Sequence, residues 1–374
     1  MPKDHQQSLT QIVKSILYFG SLLVIAVAGV YVIDLILLGK VWSGKSRPTF
    51  DRIFYIRTVF IFIFSVGFFY SFLVLNPTTT SKIKSKELKN SSETWAWISL
   101  SRAKRRIGIG AVILFSTFFL YVFYHDADLF RDISSDQKFV ENMSALFAIV
   151  ASVIFFISGF KLNKIKEGFS EYYKIIAWLF SALFLIIFME ETAWTQGIFF
   201  FDTPELFKNN GQGEMNIHNY ATSRFEWAYY FSTFLFFIIF PFFYEHRSTL
   251  ERIPIISFFI PSRLMIYIGA MALAYNYDMW NDLLVQFSFF ITLLILGYYA
   301  WFDKADHHQI ILTVLIGVYF LSQISFLTMG FQVTRTPAFK EYKEFFIPMT
   351  FFFYSLEILL RTNILKKGRC SSNH

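Results

Sequence analysis

The chain has 374 residues, of which 55% are hydrophobic, 21% aromatic and only 16% charged, with a formal net charge of +7. That composition excludes an ordinary soluble domain and a disordered segment and marks an integral membrane protein. A lone cysteine, Cys370, excludes a disulfide framework and a cysteine-rich metal site, and the positive charge, spread through loops between apolar runs, speaks for topology and lipid headgroups rather than nucleic acid.

Crossing a hydrocarbon core of ~30 Å takes about 20 helical residues. Ten apolar runs of that order follow one another, over 15 to 38, 58 to 75, 107 to 124, 143 to 160, 172 to 190, 227 to 244, 256 to 277, 283 to 302, 309 to 329 and 345 to 361. The first lacks a small-residue cleavage site and is too long for a signal peptide, so it reads as a retained helix, with Asp34 near its far end. Between the second and third runs, residues 76–106 form a basic loop whose Trp95 and Trp97 are expected to lie on anionic lipid. The seventh run contains Pro261 and Arg263 in "FFIPSR". Either its helix starts after Pro261, or "IPIISFFI" forms a separate interfacial piece. In the tenth, Glu357 is spaced to pair with Arg361 at i+4.

The fold class predicted is therefore all-α: one polytopic transmembrane domain of about ten helices. With both termini cytoplasmic, 22 of the 34 Lys and Arg residues fall inside and 12 outside, five of the latter in the first outer loop, 40–57. This orientation, in a cell (inner) membrane, puts the 76–106 loop in the cytoplasm and 16 of the 27 acidic residues on the extracytoplasmic side.

Candidate chemistry gathers on that outer side. Past the third run come His125, Asp126 and Asp128, and Glu141, Asn142 and Ser144 open the fourth; a carboxylate in a first helical turn suits the macrodipole, so Glu141 has a structural as well as a functional explanation. Glu190 and Glu191 end the fifth run, where the dipole disfavours carboxylates and the two repel each other. Adjacent helical residues point about 100° apart, so at most one of them faces the bundle, while Trp194 shares the face of Glu190. One acid is expected to be solvated and the other to serve as metal ligand or general acid/base. In the extracytoplasmic loop 190–226, "DTPELFKNN" reads as a short interfacial helix capped by Asp202 or Thr203, with Pro204 at its first position. "EMNIHNY" follows, placing Asn216 and Asn219 on one face if helical and His218 beside them. The catalytic candidates are thus Glu190, Glu191, His218 and Glu141. Substrate-binding candidates are Trp194, Gln196, Gln212, Asn216 and Asn219, and a divalent metal would draw on Glu190, Glu191, His218, Asp126 and Asp128.

The stretches "EETAWTQ", "FDTPELF" and "GQGEMNIHN" together resemble the signature of a group of bacterial polytopic membrane proteins, E-E-x-x-W-G-Q-R, F-E-T-P-E and Q-G-E-x-N-L-H-N. The match runs through Glu190, Glu191, Trp194, Gln196, Thr203, Pro204, Glu205, Gln212, Gly213, Glu214, Asn216, His218 and Asn219, and "VENMSALF" is a weaker echo. Thr195 replaces the group's usual Gly, and Gly197 its usual Arg, which removes an anion clamp. The resemblance implies that the segment matters and supplies no reaction.

No H-E-x-x-H, G-x-S-x-G or P-loop is present, and Gly108 and Gly110 follow no strand. Asp126-Ala-Asp128 formally matches the D-x-D of metal-dependent glycosyltransferases, a pattern common by chance. The leading expectation is a membrane-embedded hydrolase or transferase acting on a lipid or lipid-linked substrate at the outer leaflet. An ion-coupled transporter is the alternative, and a non-catalytic sensor or scaffold a third.

Overall fold

The computed structural model describes residues 3–40, 48, 50–75, 102–135, 138–163, 170–199, 202–210, 214–217, 220–246, 253–302, 306–334 and 337–372. Most of the basic 76–106 loop, together with Gln212, His218 and Asn219, lies outside them. Among the described residues all regular structure is helical. That suits lipid, where a helix satisfies its backbone groups within its own segment.

In chain order, α1 (Lys3–Leu38), α2 (Arg52–Leu75) and α3 (Arg102–His125) are followed by a short α4 (Ala127–Ile133), then α5 (Phe139–Asn163) and α6 (Ser170–Glu191). After α7 (Gln196–Phe199) and a 3-10 turn at Glu205–Phe207, one long helix comprises α8 (Thr222–Phe234), a π turn (Leu235–Ile239) and α9 (Phe240–His246). Then come α10 (Pro254–Phe259), α11 (Arg263–Gly269) with a 3-10 extension (Ala270–Leu273), α12 (Leu283–Phe302), α13 (Asp306–Met329) and α14 (Ala338–Ser372). Nine helices among the described residues are long and apolar enough to span a membrane.

The seventh expected span is the exception, and it is broken at Pro261. α10 is a separate piece, and α11 begins after Pro261. With its extension α11 covers only residues 263–273. At ~1.5–2.0 Å per residue those residues reach about 17–20 Å, short of a ~30 Å core. The crossing is completed by non-helical backbone from Ala274 to Asp282, buried throughout except for Asp282.

Side-chain pairs show which ends lie together. Tyr173 stacks on Phe258, Phe72 meets His246, Lys161 bonds Asn363, and Ser262 bonds Glu357 at one face, called here the terminal face because α1 starts and α14 ends there. At the opposite face Arg57 joins Asp34 to Asn281, Tyr124 bonds Ser325, Arg131 bonds Thr334 and Tyr230 bonds Glu344. The broken segment runs from Ser262 at the first face to Asn281 at the second, so it is a tenth pass and both chain ends share one face.

α5 packs between α6 and α14. Its buried Ser144, Ala145, Ala148, Ala151, Ser152 and Gly159 let the helix axes approach, and Ser152 Oγ donates to the Ser181 carbonyl at 2.8 Å. The short α4, read from sequence as loop, is anchored by fully buried Phe130, whose ring lies 4.1 Å from that of Tyr342.

Candidate functional site

The polar stretch after α6 folds mainly on itself. Glu190 Oε1 accepts from Trp194 Nε1 at 2.6 Å and from the Ile217 amide at 3.3 Å. Gln196 donates to Thr203 Oγ1 at 2.7 Å and accepts from the Met215 amide at 3.1 Å, while Asn216 donates to Glu214 at 3.1 Å. Gln196 and Asn216 therefore brace the loop, and Glu190 pins it to the end of α6. The expected interfacial helix is a single 3-10 turn with no side-chain cap, because Thr203 is engaged by Gln196. Its Leu206 is 76% exposed. Residues 214–217 are not helical. The chain leaves α6 through Ala193, Trp194 and Thr195, at φ of 46°, 53° and 72°. This left-handed region strains a β-branched residue, which gives a physical reason for a glycine where Thr195 stands.

Asp126 and Asp128 also have local work. Asp126 caps α4 by accepting from the Leu129 amide at 2.8 Å, and Asp128 pairs with Arg131 at 2.9 Å. Among the described residues no three His, Cys, Asp or Glu side chains stand close enough to hold a metal ion. The carboxylates that do gather are others. Glu191, turned about 100° around α6 from Glu190, lies within Coulombic range of Glu344 on α14, Glu141 on α5 and Glu190, beside the Ser144 hydroxyl. Tyr229 faces Glu191 and Glu344 with a buried hydroxyl, and Tyr230 donates its own hydroxyl to Glu344. The structure thus joins Glu191 and Glu141 with partners on α8 and α14.

Next to this cluster lies the non-helical half of the seventh pass. Its freed backbone groups are satisfied by side chains, as burial away from water demands. Gln323 pairs with Asn276 as a neighbouring strand would, accepting from its amide at 3.2 Å and donating to its carbonyl at 2.5 Å. Asn276 Nδ2 donates to the Leu273 carbonyl at 2.7 Å, Gln286 to that of Trp280 at 2.7 Å, and Arg57 to that of Asn281 at 2.9 Å. Gly330 leaves room for the Tyr277 ring, which would lie 2.7 Å from a Cβ there.

α14 sends two amines into this region. Lys340 lies 3.3 Å from Glu226 and 3.5 Å from Asp278. Lys343 is 2% exposed, donates to Asn276 Oδ1 at 2.5 Å and sits 4.3 Å from the centre of the Tyr230 ring. Asp282 caps α12 by accepting from the Leu284 amide at 2.9 Å.

A shallow cleft opens between α8 and α12, with apolar walls including Trp227, Phe231, Phe234, Leu284 and Val285, and Lys343 and Tyr230 among its lining. It brings hydrocarbon and the polar network into contact. Sequence reading assigned Lys340, Lys343, Glu344, Asp278 and Asp282 to loops and Glu226 to a loop end, and passed over Tyr229 and Tyr230. The available signal was "AYNYDMWND", a dense run of amides, acids and aromatics too short for a hydrophilic domain and too polar for a helix. Comparison with known protein families, with curated proteins and with solved structures finds no match for this chain.

Proposed function

We propose that the protein is a membrane-embedded hydrolase or transferase acting on a lipid or lipid-linked substrate at the extracytoplasmic leaflet. One observation carries this reading: an apolar cleft ends on a buried ammonium, Lys343, within Coulombic range of Glu344, the carboxylate that also neighbours Glu191. In the reaction Glu191 exchanges the proton as general acid/base, with Glu141 and Glu344 sharing the charge. Tyr230 orients Glu344, and Lys343 polarises the substrate oxygen in a water-poor setting where such a charge acts strongly. Glu190, Gln196 and Asn216 brace the stretch that follows α6. The charge bias supports an extracytoplasmic site face; Arg57 and Lys343, counted outside, and Arg361, counted inside, are buried, which leaves the bias intact.

The test is a series of single replacements, Glu191→Gln, Glu344→Gln, Lys343→Met, Glu190→Ala and His218→Ala, with lipids and lipid-linked glycans profiled in membranes of matched protein content. Glu191→Gln and Glu344→Gln are expected to lower product formation by about 100-fold or more. Unchanged profiles in both would remove the enzyme reading.

Ion-coupled transport is favoured by one feature, the discontinuous seventh pass with polar groups at membrane depth. Against it, the buried face of α14 between Lys343 and Glu357 is largely Phe, Ile and Met, and Glu357 is closed off by Arg361 and Ser262. Solute-driven proton flux in vesicles reconstituted with the full chain would decide for transport.

A further inference from the structure

The cleft at Lys343 has a neighbour. Phe234, part of its wall, also lines an apolar cleft bounded by α1, α2, α9 and α12, through Leu23, Phe69, Phe72, Phe242 and Ile291. From Trp227 to Phe243 the long helix beside both clefts advances about 24 Å at ~1.5 Å per residue, more than half of a ~30 Å core. The π turn Leu235–Ile239 follows the shared Phe234, and its last residue, Ile239, lines the second cleft.

The polar end selects a head chemistry. Lys343 spends one of its three N–H donors on Asn276 and rests its charge on the Tyr230 ring, with no carboxylate at ion-pair distance among the described residues. Lys343 is also among the residues that line the cleft. Around it, however, two amines, Lys340 and Lys343, stand among four carboxylates, Glu226, Asp278, Asp282 and Glu344. A phosphate head would add negative charge to a site that already has a formal excess of it, at low dielectric where the repulsion is large. An uncharged oxygen accepting from Lys343 meets no such opposition.

We infer that the two clefts form one binding site for an uncharged long-chain lipid. Its hydroxyl or ester oxygen accepts from Lys343, and its hydrocarbon chain runs past Phe234 into the second cleft. This inference rests on the lipid reading above and names the substrate class for the same site.

Trp227 lines the first cleft and serves as reporter. The full chain in nanodiscs is titrated with chain-brominated dioleoylglycerol or with the matching brominated phosphatidic acid, and the signal is the quenching that Trp227→Phe abolishes. The diacylglycerol is expected to reach half-quenching at about tenfold lower mole fraction than the phosphatidic acid, a preference that Lys343→Met removes. Ile291→Phe, which fills the second cleft, is expected to weaken binding of the long-chain probe and spare a short-chain diacylglycerol. Equal or tighter binding of phosphatidic acid, or no quenching of Trp227 by either lipid, would overturn the inference. If Glu344→Gln alters the membrane lipid profile while Trp227 stays unquenched, the enzyme reading survives and this substrate class falls. Quenching with unaltered profiles has the opposite meaning.

Discussion

Arg361→Met is expected to cost about 3–5 kcal/mol of stability, the range for breaking a buried ion pair from one side. Arg361 is fully buried and donates to the Phe258 and Ile260 carbonyls as well as to Glu357. Glu357 in turn accepts from the Ser262 amide at 3.1 Å and its hydroxyl at 2.6 Å. The pair therefore holds both sides of the Pro261 break at the terminal face. Met fills similar volume, so the loss reports charge and hydrogen bonds rather than a cavity. Glu357→Gln combined with Arg361→Met is expected to recover part of the loss, because the unpaired carboxylate is gone while two carbonyls still lack a donor. Detergent unfolding of the two single variants and the double variant measures this. A single-variant loss below about 0.5 kcal/mol, the size of a neutral surface change, would contradict it.

The other end of the same segment has its own anchor. Arg57 Nε lies 2.7 Å from Asp34, the two side chains being 4% and 0% exposed, and Arg57 Nη2 holds the Asn281 carbonyl. Arg57→Met is expected to cost about 3–5 kcal/mol by stranding Asp34, and Asp34→Leu in the same chain should restore most of it. A local signature separates this tie from general loosening: amide hydrogen exchange should rise first over residues 277–282, while the α5 and α14 amides keep their protection. Uniform loss of protection would mean that the pair has no particular hold on the broken pass.

Much of the architecture was legible because lipid leaves few options. Runs of about 20 apolar residues had to become helices, and nine of them did. Even the Pro261 break and the Glu357–Arg361 pair could be read, since both depend on near neighbours in the chain. Asp34 could not be matched with Arg57, because hydropathy ended the second run one residue short and left that arginine in a loop; the helix in fact starts at Arg52. The same limit hid the site. Glu191 and Glu141 were singled out by their helix-end positions, yet their partners Glu344, Tyr229 and Tyr230 come from helices far along the sequence. Nothing periodic in "AYNYDMWND" says that these residues lie under a neighbour's amide instead of in water. The loop from Glu190 drew attention through its density of polar residues, which for Gln196 and Asn216 reflects the bonds the loop makes with itself.

The broken seventh pass also dictates an order of assembly. Residues 263–282 leave the ribosome before the final helix does, but an eleven-residue helix followed by bare peptide is a poor cargo for the membrane while its carbonyls lack donors. Groups that hold it come later in the chain, Gln323 of α13 on the Asn276 carbonyl and Lys343 and Lys340 of the final helix on the Asn276 and Asp278 side chains. Synthesis must therefore be nearly finished before this part of the chain can settle. The last helix acts as a template for a segment made some sixty residues earlier, and a nascent protein waiting for it is the form that quality-control proteases will find most open.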